Sequence, residues 1–100
     1  MKMRYKITKT PEFKEWLADQ EDKSQVQIYE RLAKIQDQGH FGTKKTFDSG
    51  VSELKWVSGR RVYYTIIPVR NVIVLIGGNK NGQSKDITQA EKILRRIKND

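Results

Sequence analysis

Glu53, Lys55, Arg61, Tyr63 and Lys80 are the side chains of this sequence that could carry acid–base and phosphate chemistry together. The first four flank Ser58-Gly59-Arg60, between two stretches that alternate apolar and polar with a period of two. A two-residue turn at Ser58-Gly59 would pair Trp56 with Arg61 and set an indole and a guanidinium on one face. A three-residue loop from Ser58 to Arg60 pairs Val57 with Arg61, Trp56 with Val62 and Lys55 with Tyr63. That register gathers Leu54, Trp56, Val62 and Tyr64 on one face and Glu53, Lys55, Arg61 and Tyr63 on the other. A one-residue slip inverts every side chain, so the clean segregation selects the three-residue loop. An acid, an amine, a guanidinium and a phenol should then share one concave, solvent-facing surface.

Such a set suits phosphodiester cleavage by a neighbouring 2′-hydroxyl, without a metal. The hydroxyl loses a proton and attacks phosphorus, giving a cyclic phosphate and a free 5′-hydroxyl. Each proton-transfer partner contributes roughly 10²–10⁴-fold, and pre-aimed cations add to it. Arg61 is the first choice for the clamp on the transition state, because its planar fork can hold two phosphate oxygens at once. Lys55 and Lys80 are candidates for phosphate binding or proton transfer. Glu53 or Tyr63 could shuttle a proton, although Glu53 equally suits a salt bridge with Lys55 or Arg61. His40 is the only histidine, so a histidine pair is excluded. It sits in a glycine-flanked loop that suits a turn or packing contact.

The elements that must position these residues follow from periodicity. Met3, Tyr5 and Ile7 alternate with Lys2, Arg4 and Lys6, as in a half-buried strand. Thr10-Pro11 is a helix start, and Phe13, Trp16 and Leu17 fall on one face behind it. A second helix is expected from about Ser24 to Gln38, with Ile28, Leu32 and Ile35 inward and Gly39 as terminator. Beyond His40–Gly42 the period becomes two, and Asn71–Ile76, apolar on both faces, should be the most buried strand. Ile87, Ala90, Ile93, Leu94 and Ile97 mark a short amphipathic carboxy-terminal helix. Trp16 and Trp56 lie at core spacing and are expected to be core residues, not stacking platforms, and Asp19, Glu21 and Asp22 read as solvated charge. The fold class is therefore α+β: a small antiparallel β-sheet with two N-terminal helices packed on it and a short C-terminal helix.

Composition narrows the partners. One hundred residues make a single domain, 1–100. Hydrophobic residues are 36% and charged residues 32%, so a thin core is possible. With 20 Lys and Arg against 12 Asp and Glu, the net charge is +8, which favours polyanions such as nucleic acid. Zero cysteines exclude disulfides and thiolate metal sites and fit a reducing compartment. The longest apolar run, Val72–Ile76, is too short for a bilayer, and no apolar stretch follows Arg4, so neither membrane nor signal peptide is expected.

Three runs in order carry a resemblance. Gly50-Val51-Ser52-Glu53-Leu54-Lys55, then Gly59-Arg60-Arg61-Val62-Tyr63-Tyr64, then Gly77-Gly78-Asn79-Lys80 with Gln83 and Asp86-Ile87 resemble the phage-derived, HigB-like "addiction module killer" branch of the RelE/ParE toxins. Gly39-His40-Phe41-Gly42 and Lys45 fit the same pattern, so the resemblance spans nearly the whole chain. It implies a RelE-like fold and a cytoplasmic toxin held inactive by a cognate antitoxin, a helix-turn-helix DNA-binding protein. RelE-like and HigB-like members cleave messenger RNA on the ribosome, whereas ParE-like members poison gyrase. The resemblance places the functional arginine at Arg61; no cofactor and no metal are expected, and RNA contacts are expected at Lys44, Lys45, Arg60, Gln83 and Lys85, although Lys44-Lys45 equally suits a solvated pair. Two other classes stay open: a gyrase poison acting by protein contact, which needs no cationic pocket, and an RNA-binding module without activity. The chain also departs from the pattern. RelE-like nucleases often have an aromatic residue at the start of the last helix and an arginine shortly before it; here the stretch is Gln83-Ser84-Lys85-Asp86-Ile87, where Lys85 could replace only the cation.

Overall fold

Thr10 opens the helical part of the chain. Its backbone is extended, its hydroxyl accepts from the Phe13 N–H at 3.0 Å, and Pro11 takes the first helical position, where an N–H would be unpaired anyway. The same hydroxyl donates to the Leu75 carbonyl at 2.6 Å, which ties the helix start to the sheet. In the computed structural model, which describes residues 4–99, helix α1 covers Pro11–Ala18 and buries Phe13 and Leu17. Helix α2, Asp22–Gln38, begins two residues before the expected Ser24 and buries Ile28, Leu32 and Ile35. It stops at Gly39, whose φ of 67° is the left-handed conformation that glycine adopts without strain.

Five strands form one sheet in the order β1-β5-β4-β3-β2: β1 Lys6–Lys9, β2 Lys44–Thr46, β3 Ser52–Lys55, β4 Arg60–Ile67 and β5 Asn71–Asn79. Lys2 and Met3 of the alternating first stretch lie outside the described residues. Alternation alone points to a wholly antiparallel sheet, but the sheet is mixed. β2 to β5 form an antiparallel meander, whereas β1 pairs parallel with β5, Ile7 opposite Val72. A parallel pair needs a long crossover, and α1, α2 and the meander supply it. β5 buries Val72, Val74 and Leu75 but leaves Ile73 and Ile76 only partly buried, so it is not the most buried strand; β3 buries Ser52, Glu53 and Leu54 in succession. Tyr63 opposes Ile76 and Tyr64 opposes Val74, so Leu75 is an extra residue at a bulge, and it packs on the same side as Ile76.

The apolar side chains divide between the two sheet faces. Under α1 and α2 lie Phe13, Leu17, Ile28, Leu32, Ile35, Leu54, Val62, Tyr64, Val72 and Val74, with Trp16 and Trp56 packed against them. Burying each large side chain contributes roughly 1.5–3 kcal/mol. The other face holds Val51, Tyr63 and Leu75 beneath Ala90, Ile93 and Leu94 of α3. Helix α3, Gln83–Lys98, follows a 3₁₀ turn at Lys80–Gly82 and is not short: its 16 residues nearly match the 17 of α2. The apolar pattern begins only at Ile87 because the first turn presents polar groups, Gln83 and Asp86, to the sheet. Among the described residues no helix is long and apolar enough to cross a membrane.

Candidate active site

The β3–β4 hairpin has a three-residue loop, but it is Val57-Ser58-Gly59, one residue earlier than the face argument places it. Trp56 N–H donates to the Arg60 carbonyl at 3.1 Å and Gly59 N–H to the Trp56 carbonyl at 3.0 Å. The cause is Gly59, whose φ of 101° suits the last residue of such a loop, where the chain must turn with positive φ. Lys55 therefore pairs with Arg61, Glu53 with Tyr63 and Leu54 with Val62. Moving the loop by one residue shifts the pairing by two, so every side chain keeps the face assigned to it.

The acidic and basic face is not open to solvent, because α3 lies across it. Glu53 and Tyr63 are both 0% exposed, which corrects the expectation of a solvent-facing acid and phenol. The Arg61 side chain is only 13% exposed and that of Lys55 35%. Glu53 Oε1 stands 3.8 Å from Arg61 Nε and 3.9 Å from Lys55 Nζ, while Oε2 accepts from Gln83 Nε2 at 2.9 Å. Arg61 Nη1 donates to the carbonyls of Arg60 at 3.0 Å and Trp56 at 3.3 Å, which anchors the guanidinium to the hairpin loop. Glu53 Oε1, Arg61 Nε and the Tyr63 hydroxyl are buried without hydrogen bonds. Burial pushes the Tyr63 phenol well above the ordinary tyrosine range, and the nearby negative charges of Glu53 and Asp86 push the same way. A phenol with a raised pKa is a weaker acid than a free tyrosine.

Lys80 joins this end of the sheet from the far side of the loop. Its N–H donates to the Gly59 carbonyl at 2.8 Å, and its stem lies so close that a Cβ on Gly59 would stand 3.3 Å from Cγ and Cδ. Gly77-Gly78 allows close approach on both faces. A Cβ at Gly77 would meet the Trp16 ring at 2.3 Å, and one at Gly78 would meet Asp86 Oδ2 at 2.0 Å. Burial raises the Asp86 pKa above its ordinary value, against the opposing effects of Lys85 and the Asn79 backbone N–H.

The expected RNA contacts are divided between the faces. Lys45 lies opposite Glu53 on the edge strand, with its ammonium 5.2 Å from the Phe47 ring centre. Lys85 is exposed on the first turn of α3. Gln83 is turned inward to Glu53 and is not an outward contact. Lys44 pairs with Leu54 and its ammonium sits 4.9 Å from the Phe41 ring centre, on the α2 face. Arg60 also leaves the group: Nη1 donates to Gln27 Oε1 at 2.9 Å and Nη2 to Ser24 Oγ at 2.8 Å. Its guanidinium and that of Arg31 lie 5.6 Å and 4.3 Å from the Trp56 ring centre, which corrects the reading of Trp56 as a core residue alone: it is half-buried and is also a stacking platform for two arginines.

Two residues on which periodicity is silent matter here. Arg31 donates to the carbonyls of Phe41, Thr43 and Lys55, binding the loop before β2 and the end of β3 to α2. Nothing in the sequence distinguishes it from a solvated helix arginine. Asp86 could have been suspected only from the glycine it overlies. Among the described residues no three His, Cys, Asp or Glu side chains gather as metal ligands.

Comparison with known proteins places these features. Residues 15–98 match the family described as phage-derived protein Gp49-like. An uncharacterized protein of Haemophilus influenzae is 33% identical over 98 residues, 95% of this chain and 98% of the relative. The free toxin RelE of E. coli, in a mutant form, superposes with a TM-score of 0.72 at 17% identity, covering 90% of this chain and 97% of that one. The RelBE2 toxin–antitoxin complex of Mycobacterium tuberculosis gives 0.65 at 13% identity, over 77% of this chain and 92% of that one. The intact E. coli RelBE complex gives 0.64 at 17% identity, over 75% and 95%. The fold is RelE-like.

Proposed function

Because the chain belongs to the family of Gp49-like phage-derived proteins and has a RelE-like fold, we propose that it is the toxin of a toxin–antitoxin pair and cleaves messenger RNA on the ribosome. The observation that carries this reading is the pairing of Lys55 with Arg61 across the hairpin, with Lys80 folded against its loop. Two cations thus flank Glu53 at this end of the sheet, and the Lys80 stem lies against the adjoining loop. Arg61 holds two oxygens of the scissile phosphate and stabilises the pentacoordinate transition state. Lys55 and Lys80 bind the phosphate or move the proton between attacking 2′-oxygen and leaving 5′-oxygen. The products are a cyclic phosphate and a 5′-hydroxyl, and the step uses no metal or other cofactor. Lys45 and Lys85 track the RNA on either side, whereas Lys44 and Arg60 serve the opposite face. A cytoplasmic location and an antitoxin of the helix-turn-helix DNA-binding class accompany the reading. Relatives in fold are described as toxin–antitoxin complexes, which supports an antitoxin partner.

Purified protein added to a translation extract tests this. New messenger RNA ends at codon boundaries, with a cyclic phosphate on one side and a 5′-hydroxyl on the other, are expected. Intact messages, with DNA damage and filamentation in expressing cells, would overturn it in favour of a gyrase poison.

A further inference from the structure

Arginine and lysine side chains on a strand ordinarily sample many rotamers, and a phosphate clamp is useful only if its cations are already aimed. Glu53 has two oxygens with separate neighbours. Oε2 is fixed by the Gln83 amide from the first turn of α3 at 2.9 Å, which turns Oε1 toward Arg61 Nε at 3.8 Å and Lys55 Nζ at 3.9 Å. The carboxylate is 0% exposed, so it cannot touch a ribose hydroxyl. Its charge lies behind both cations, and Arg61 Nη1 is held by two loop carbonyls while Nη2 makes no hydrogen bond among the described residues. For packing alone an apolar residue of like size would serve as well, since a buried ion pair is weak evidence for stability.

Resting on the RNA-cleaving reading above, we infer that Glu53 is a positioning residue: through Gln83 on one oxygen and Arg61 and Lys55 on the other, it holds the two cations in register for the phosphate and exchanges no proton with RNA. Gln83 shares this task as the group that orients Glu53, which gives the first turn of α3 a role in the site without an aromatic residue. The opposed Tyr63 completes the buried wall.

Glu53→Gln in the full chain tests this, because it keeps the shape and removes the charge. Single-turnover cleavage of ribosome-bound message should lose saturating rate by less than the roughly 10²–10⁴-fold expected for a lost proton-transfer group. The half-saturating ribosome concentration and the acidic limb of the pH profile should stay. Combined with Arg61→Lys, the loss should be smaller than the product of the two single losses, because Glu53 acts through Arg61. The ¹⁵N signal of Arg61 Nε should be ordered in the wild type and averaged in Glu53→Gln. Loss of the acidic limb would make Glu53 a proton-transfer group, and an unchanged rate or an unchanged Arg61 signal would remove its positioning role. Should Glu53→Gln not fold, Glu53→Asp keeps the charge but withdraws it by one methylene, and the same Arg61 signal decides. If wild-type protein cuts no RNA, the RNA-cleaving reading fails, whereas the Arg61 signal still shows whether Glu53 orders the guanidinium.

Discussion

Arg60 and Arg61 are neighbours in β4 that work on opposite faces of the sheet: Arg60 binds Ser24 and Gln27 of α2, and Arg61 lies beside buried Glu53 under α3. Adjacent strand residues point to opposite sides, so two arginines with one local sequence receive different tasks. Arg60→Ala should cost about 1 kcal/mol through its lost hydrogen bonds to the α2 side chains, a fall in Tm of roughly 4–8 °C. RNA cleavage by the folded variant should stay near wild type. Thermal melts beside cleavage assays separate the effects, and a variant of wild-type stability that no longer cuts would assign Arg60 to the RNA path.

Gly77 and Gly78 should differ when each is changed to alanine. The Gly77 methyl meets the rigid Trp16 ring at 2.3 Å, whereas the Gly78 methyl meets the end of the Asp86 side chain, which can swing away. Gly77→Ala is expected to destabilise by about 1–3 kcal/mol, as overpacking does, and Gly78→Ala by less. Asp86→Ala should recover more stability in Gly78→Ala than in Gly77→Ala, because only the first also loses its clash. Denaturant midpoints for the four variants would show it.

Most of the fold and part of the site were legible in the sequence. Thr10-Pro11, Gly39 and the alternation of Leu54, Val62 and Tyr64 mark their elements because capping, terminating and half-burial each leave a local residue pattern. The faces of Glu53, Lys55, Arg61 and Tyr63 were readable for the same reason. Their burial was not, since α3 enters the site through Gln83 and Asp86, polar residues that hide its first turn from an apolar pattern. The parallel β1–β5 pair and the Arg31 clamp depend on contacts between distant segments, on which periodicity is silent.

Asp86 predicts a pH signature. Its pKa is raised by burial, so the fold favours the protonated acid. The resulting stability is fully present below the ordinary value of 3.8 and is lost as pH rises through the elevated pKa. At neutral pH the ionised group is therefore a cost that an amide avoids. Asp86→Asn should raise Tm at pH 7, and the advantage should shrink as pH falls through the carboxylate range. A gain that grows toward acid would contradict the assigned direction.

The proposed antitoxin should meet a strongly basic surface. On α3, Lys92, Arg95 and Lys98 are exposed, while Arg96 is paired with Glu12. An acidic antitoxin segment would be steered by this charge, whereas apolar anchors would set how long it stays. Raising salt from about 0.1 M to 1 M shortens the screening length from roughly 10 Å to 3 Å. Association should slow at least several-fold over that range and dissociation should change little. Dissociation climbing as steeply as association falls would mean a complex held by charge alone.

Arg61 carries the central claim. Its position beside Glu53 changes what a substitution does: a solvent-facing arginine would contribute little to stability, but Arg61→Ala strips a cation from a buried carboxylate, so some loss of Tm is expected. Each variant must therefore be shown to be folded at the assay temperature. The decisive measurement is the rate of message cleavage on programmed ribosomes for wild type, Arg61→Ala and Arg61→Lys. Folded Arg61→Ala should be slower by roughly 10²–10³-fold, the loss seen when one pre-aimed charge-stabilising donor is removed. Arg61→Lys should recover only part of it, because a point charge cannot hold two phosphate oxygens in the same way. Folded Arg61→Ala that cuts at the wild-type rate would contradict a phosphate clamp at this position.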